Sequence, residues 1–338
     1  MMLTRSLACA LVLLCGCSSS EGAPGAASPD AGDGVETGGD SDGGSDTGTE
    51  GGSDGEAPPE DGAVSSSSKG SGGLACTSTG SVTVDGASYS YCVAKVAGVE
   101  LKIVEPAGAS QPLHLALYFH GDGAGPYQSG LAIKKHAPWT SAHGVLYVAA
   151  LAPNACSWWL RPSYTVCDAN TPVPDSAIDR DGENAQAVQS VVKALRGGWD
   201  IADTPVLYGG SSGGSIFLAA SFLPMHGDKH PGAYALSCGG DAPFQGQLGW
   251  DASNPSRLGA TRLFFTYGDK DFVATDVQQA IAFYEPLGFP TDVKVIPETV
   301  AEGDSQCGNV GGSYSYDQLG RVVEVWSDYY EAQVGAGR

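Results

Sequence analysis

Apolar positions beyond residue 80 fall into short runs with strand periodicity and longer stretches with helical spacing. Residues 81–84 and 89–93 alternate around Asp85-Gly86. They predict a β-hairpin, because Asp-Gly tolerates the positive φ angles of a two-residue turn. Residues 99–104 alternate as a half-buried strand does. Continuous runs at 113–119, 145–150, 206–208, 234–237 and 263–267 predict strands covered on both faces, with 293–296 the last of the series. Between them the spacing predicts helices over 183–195, 212–223, 276–287 and 316–332. Alternation of strand and helix gives an α/β class with a mostly parallel central sheet flanked by helices and an N-terminal β-hairpin.

Ahead of this region the pattern collapses. Residues 18–73 are almost entirely Gly, Ser, Ala, Asp, Glu, Thr and Pro, with Val35 and Val64 the only larger aliphatics. Such a segment cannot bury enough apolar surface to offset the entropy of ordering, so a disordered tether is expected. It holds about half of the formal charge of -21, and the acidity therefore says little about the domain that follows. Arg5 and the apolar residues 7–14 form an export signal too short to span a bilayer. The following Cys15-Gly16-Cys17, with Leu14 three positions before Cys17, resembles the bacterial lipoprotein signal. That resemblance implies a lipidated Cys17 as the mature N-terminus. The expected division is 1–16 signal, 17–73 lipidated cysteine and tether, and 74–338 a single domain. The expected location is outside the cytoplasm, lipid-anchored to the bacterial membrane, on the outer membrane or cell surface. The dominance of negative charge argues against nucleic acid, membrane contact is expected through the anchor alone, and a monomer is expected.

Six cysteines follow the tether, an even number that suits disulfides in an exported chain. Cys76 and Cys92 flank the hairpin arms, Cys156 and Cys167 close one loop, and Cys238 with Cys307 would tie the loops after two late strands. None has the close spacing of a zinc knuckle, and no metal or cofactor is expected. Asp179, Asp181 and Glu183 read as capping and dipole partners of the helix beginning there rather than as calcium ligands.

The run Gly209-Gly210-Ser211-Ser212-Gly213-Gly214 sits between a predicted strand and a predicted helix. A serine on a tight strand-to-helix turn is pushed into the open, flanking glycines let the two elements approach, and the helix amides can face an oxyanion. Gly209 and Gly213 frame Ser211 as the nucleophile; the register from Gly210 to Gly214 would frame Ser212 instead. His120-Gly121-Asp122-Gly123 follows the strand at 113–119, where the amide of Asp122 would join that of Ser212 as oxyanion donor, its carboxylate turned away. His120 reads as a residue that holds this loop by hydrogen bonds. Asp271, with Asp269 as the alternative, stands in the turn after 263–267, where a carboxylate can orient an imidazole. Trp158 and Trp159, on the loop after 145–150, either line a substrate cleft or pack beneath the loop.

These motifs together resemble secreted α/β-hydrolase esterases, the group of feruloyl esterases, acetylxylan esterases and polyhydroxybutyrate depolymerases. The doubled glycine after Ser211 matches their G-x-S-x-G-G form, which favours Ser211. The resemblance implies the α/β-hydrolase fold and action on carboxylic esters of an extracellular polymer or glycan. It also implies a histidine after the last strand. Here Gln306 stands at that position, and all six histidines precede Asp271. A glutamine cannot accept a proton at neutral pH. His120 is the only histidine expected near the serine, hence the candidate substitute base. Two readings follow: a lipid-anchored serine ester hydrolase, or a catalytically impaired relative that binds a surface ligand.

Overall fold

The computed structural model describes residues 72–108, 112–167, 171–297, 309–310, 313–314 and 316–336. Cys17, nearly all of the tether, Gln306 and Cys307 lie outside the described residues. Three antiparallel strands open the domain, β1 (Ser78–Val84), β2 (Ala87–Val96) and β3 (Val99–Val104). Asp85 and Gly86, at φ 50° and 81°, make the expected turn. A second turn of the same kind at Ala97 and Gly98, φ 48° and 84°, extends the hairpin into a meander. Alanine gives little warning of a positive φ, so Gly98 is the sequence signal of this turn.

β3 pairs antiparallel with β5 (Val145–Leu151), and from there the sheet is parallel through β4 (His114–Phe119), β6 (Val206–Ser211), β7 (Gly232–Ser237), β8 (Arg262–Gly268) and β9 (Thr291–Ile296). The spatial order is β1-β2-β3-β5-β4-β6-β7-β8-β9. This mixed, mostly parallel nine-stranded sheet with an N-terminal antiparallel edge is the α/β-hydrolase arrangement expected from the sequence.

After β4 come α1 (Gly125–Gln128) and α2 (Leu131–Ala142); α3 (Glu183–Gly198) follows β5. The helical run after β6 comprises α4 (Gly213–Phe217), a π turn over Leu218–Phe222 and α5 (Leu223–His226). Then come α6 (Pro255–Gly259), α7 (Ala274–Tyr284) and α8 (Gln318–Ala336). One face of the sheet packs on α2 and α8, through Ile133, Val322 and Trp326 among others. The other packs on α3, the helical run after β6 and α7, through Val191, Phe217 and Val277. The chain leaves β4 toward β5 on one side and returns to β6 on the other. A crevice must therefore open at the carboxyl ends of β4 and β6, the usual ligand position in an open α/β sheet.

The disulfides Cys76–Cys92 and Cys156–Cys167 are present. Cys238 is also disulfide-bonded, and Cys307, its expected partner, lies outside the described residues. Asp179 caps α3: its two carboxylate oxygens accept the amides of Glu183 at 3.0 Å and Asn184 at 2.8 Å. Asp181 and Glu183 pair with Arg161 at 2.7 and 3.3 Å. Among the described residues no helix is long and apolar enough to cross a membrane.

Candidate active site

β6 ends in a row of small residues whose faces alternate. Leu207, Gly209 and Ser211 turn toward α8, and Tyr208 and Gly210 toward the opposite layer. Ser211 accordingly remains a strand residue, 4% exposed, with its hydroxyl bonded to the Tyr118 hydroxyl of β4 at 2.5 Å. The turn falls one residue later. Ser212 has φ 49° and ψ −121°, a conformation that costs a non-glycine residue about 1–3 kcal/mol, and α4 starts immediately after it.

The glycines confirm this register. A Cβ on Gly210 would lie 2.6 Å from the Ser215 amide nitrogen, and one on Gly214 would lie 2.2 Å from the Phe119 carbonyl oxygen. Both contacts are with backbone and allow no side chain. Gly209 is small for another reason, since its Cβ would meet Val322 and Trp326 of α8 at 2.5 and 2.6 Å. The motif that frames the turn is therefore Gly210-x-Ser212-x-Gly214, the alternative register, which places Ser212 rather than Ser211 in the turn. Gly209, which framed Ser211 in the expected register, instead makes room for α8.

Two further expectations change with the register. The Ser212 amide donates to the Ser237 carbonyl of β7 at 2.9 Å and is not available to an oxyanion. The next amide, that of Gly213, lies in the first turn of α4, where the helix supplies no acceptor. The residues after β7 close on the same spot: a Cβ on Gly239 would sit 2.4 Å from the Ser212 carbonyl oxygen. From the β4 side, Gly121 faces the turn, and a Cβ there would stand 3.1 Å from the Ser212 Cβ.

Asp122 does not turn its carboxylate away. Its Oδ1 accepts the Ser157 hydroxyl at 2.5 Å and Trp159 Nε1 at 3.1 Å, and lies 2.1 Å from where a Cβ on Gly213 would be. The residue as a whole is exposed, but its carboxylate is crowded by these neighbours. Loss of water around it raises its pKa against the opposing pull of the Ser157 and Trp159 hydrogen bonds.

Trp158 and Trp159 part company. Trp158 is fully buried between Phe119 and Phe217, which removes it from any substrate cleft; Trp159 is half-buried beside the elbow. Their loop is held by Asn154, whose Oδ1 accepts the amides of Cys156 and Ser157, and by Asn184 of α3, which donates to the carbonyls of Trp158 and Leu160. Tyr118, Ser157, Asn154 and Asn184 carried no motif in the sequence; only the fold brings them to this edge.

His120 is fully buried. Its Nδ1 donates to the Gly121 carbonyl at 2.7 Å and its Nε2 accepts the Ala152 amide at 3.0 Å. Both nitrogens are thus engaged with backbone, and burial pulls its pKa down to about 4. It cannot serve as the substitute base. The other five histidines are also engaged or remote from the elbow. His114 opens β4 against Thr204, and His136 lies between Tyr147 and the Leu319 carbonyl. His143 stacks on Trp139 at the far end of α2, His226 ends the helical run after β6, and His230 follows it against Tyr208.

Asp271 is 5% exposed in the turn after β8, and its Oδ1 accepts the Val273 amide at 3.0 Å. It stands two strands from the elbow, about 10 Å at the usual strand spacing. Among the described residues no cluster of three or more His, Cys, Asp or Glu could hold a metal ion.

No protein-family model and no curated protein matches this chain. Solved structures do resemble it. A thermostable esterase is 14% identical with a TM-score of 0.43, over 75% of this chain and 61% of that one. Est1E from Butyrivibrio proteoclasticus is 13% identical with a TM-score of 0.42, over 76% and 99%. A carboxylesterase from Mesorhizobium loti is 13% identical with a TM-score of 0.44, over 70% and 98%. At such identity and score the likeness says nothing about substrates or individual residues.

Proposed function

We propose that this chain is an exported, lipid-anchored serine hydrolase of carboxylic esters, with Ser212 as nucleophile. The observation that carries the reading is the strained backbone of Ser212 within a frame of glycines that admits no other packing. A non-glycine residue held so at a sheet's carboxyl edge is a mark of function. In this reading the amides of Gly213 and Asp122 receive the oxyanion, and Trp159 borders the acyl or glycan moiety of an extracellular polymer. Asp271 keeps the place of the triad acid. Cys17 supplies the anchor and the acidic tether the reach, roughly 40 Å for a flexible coil of that length.

The placement of all six histidines favours a second reading, a hydrolase-fold protein that binds an ester or glycan at the cell surface without turning it over. Loss of the base from a serine triad costs on the order of a million-fold in turnover. One set of variants separates the two. The full chain is exposed to a fluorophosphonate and to a short-chain nitrophenyl ester, alongside Ser212→Ala, Ser211→Ala and Gln306→His. A hydrolase loses labelling and hydrolysis in Ser212→Ala and keeps both in Ser211→Ala. A binding protein is inert as it stands and gains activity only in Gln306→His.

A further inference from the structure

With every imidazole placed elsewhere, the proton of Ser212 needs another acceptor. The loop after β4 and the start of α4 face each other residue by residue: Gly121 against the Ser212 side chain, and the Asp122 carboxylate against Gly213. The glycine at 213 is the vacancy that this carboxylate fills. Its Oδ1 is held by Ser157 and Trp159, whereas Oδ2 has, among the described residues, one long contact with Trp159 Nε1, at 3.4 Å. Among the described residues, Asp269, Asp271 and Asp241 also stand near this edge. Asp271 is two strands away and holds the Val273 amide. Asp241 is partly buried, binds the Ala242 amide at 2.7 Å and feels the opposed charges of Asp276 and Arg180.

Resting on the reading of Ser212 as nucleophile, we propose that Asp122 is the catalytic proton acceptor, a carboxylate in place of the imidazole. As Ser212 Oγ bonds to the ester carbonyl carbon, its proton passes to the Asp122 carboxylate and the carbonyl electron pair becomes the oxyanion. The oxyanion collapses, the bond to the alcohol oxygen breaks, and Asp122 returns the proton to that leaving alkoxide. Water then attacks the acyl-serine, giving its proton to Asp122, which passes it to Ser212 Oγ as the acid leaves. The charge accounting favours the arrangement. A fixed carboxylate beside an oxyanion would be repulsive, but here the negative charge moves from one to the other and the two are never charged together.

The groups that face the carboxylate bring no countercharge. Among the described residues they are Ser157 and Trp159 from the loop after β5 and the backbone of Gly213 from α4. Crowding without a countercharge makes this carboxylate a stronger base than an ordinary one, as a general base requires.

The test follows ester hydrolysis and fluorophosphonate labelling of the full chain between about pH 4 and 9. The parent rate should rise with pH through one acidic limb lying above the ordinary carboxylate range. Asp122→Asn should lower both rates by about 10²-fold or more, with an unchanged unfolding transition. Ser157→Ala, which removes a donor from the ionised carboxylate, should move the limb to higher pH, whereas Asp241→Asn should leave it in place. If Ser212→Ala is inactive but Asp122→Asn keeps the parent rate and limb, the role of Asp122 falls and the nucleophile stands. A Ser212→Ala variant as active as the parent, or a parent inert to both reagents throughout, overturns both.

Discussion

At Ser212 the chain turns from strand to helix within a single residue, and the neighbouring backbones leave no space for anything but hydrogen at 210, 214 and 239. The glycines differ in what crowds them, and that difference can be measured. Gly214→Ala drives a methyl into the Phe119 and His120 carbonyls, which cannot move without distorting β4. A loss of about 2–4 kcal/mol in unfolding free energy, read by urea denaturation, is expected, together with loss of fluorophosphonate labelling. Gly213→Ala meets the end of a side chain, the Asp122 carboxylate, which can swing aside. It should cost less than about 1.5 kcal/mol in stability and yet suppress ester hydrolysis as strongly as Asp122→Asn. The presence of an elbow at 209–214 was legible in the sequence; its register was not. Gly209 and Gly210 look alike on paper, and only the approach of Val322 and Trp326 shows that Gly209 makes room for α8.

At the level of elements, the strands and the major helices expected from periodicity are present, because each buried run had to match the period of its own structure. α8 shows what that reading leaves out. Its Trp326 is fully buried, packs over Gly209 and donates Nε1 to the Tyr208 carbonyl of β6 at 3.1 Å. The last helix thereby fixes the strand that carries the elbow. Trp326→Ala is expected to cost about 3–5 kcal/mol, seen as a lower urea midpoint at unchanged slope. Trp158 has a similar role on the other face. Its burial between Phe119 and Phe217 turns a candidate cleft residue into the pin of the loop that delivers Ser157 and Trp159 to Asp122. Neighbouring tryptophans with the same composition cue thus have opposite fates, set by which side of the loop each occupies.

For the molecule as a whole, three buried histidines make acid a threat to the fold. Burial lowers His120 and His230 to about 4 and His136 to about 3, from an ordinary 6.5. Below pH 6.5 the unfolded chain takes up protons that the folded chain refuses. The stability these groups contribute is complete above that value and is lost as pH falls toward 4 and 3. Urea denaturation at falling pH should show unfolding free energy declining by on the order of 3 kcal/mol per histidine. A His136→Gln variant should show a shallower decline over the same range.

The sequence by itself determined the layer architecture, the edge of the sheet where chemistry can occur, and the absence of a histidine after the last strand. Those follow from hydrophobic period, glycine punctuation and residue identity, which are local properties. The tertiary structure decided which serine stands in the turn, which tryptophan meets solvent, that His120 is tied to backbone on both sides, and which carboxylate lies against the elbow. Each depends on contacts between segments far apart in the chain, where a shift of one residue reverses the direction in which a side chain points.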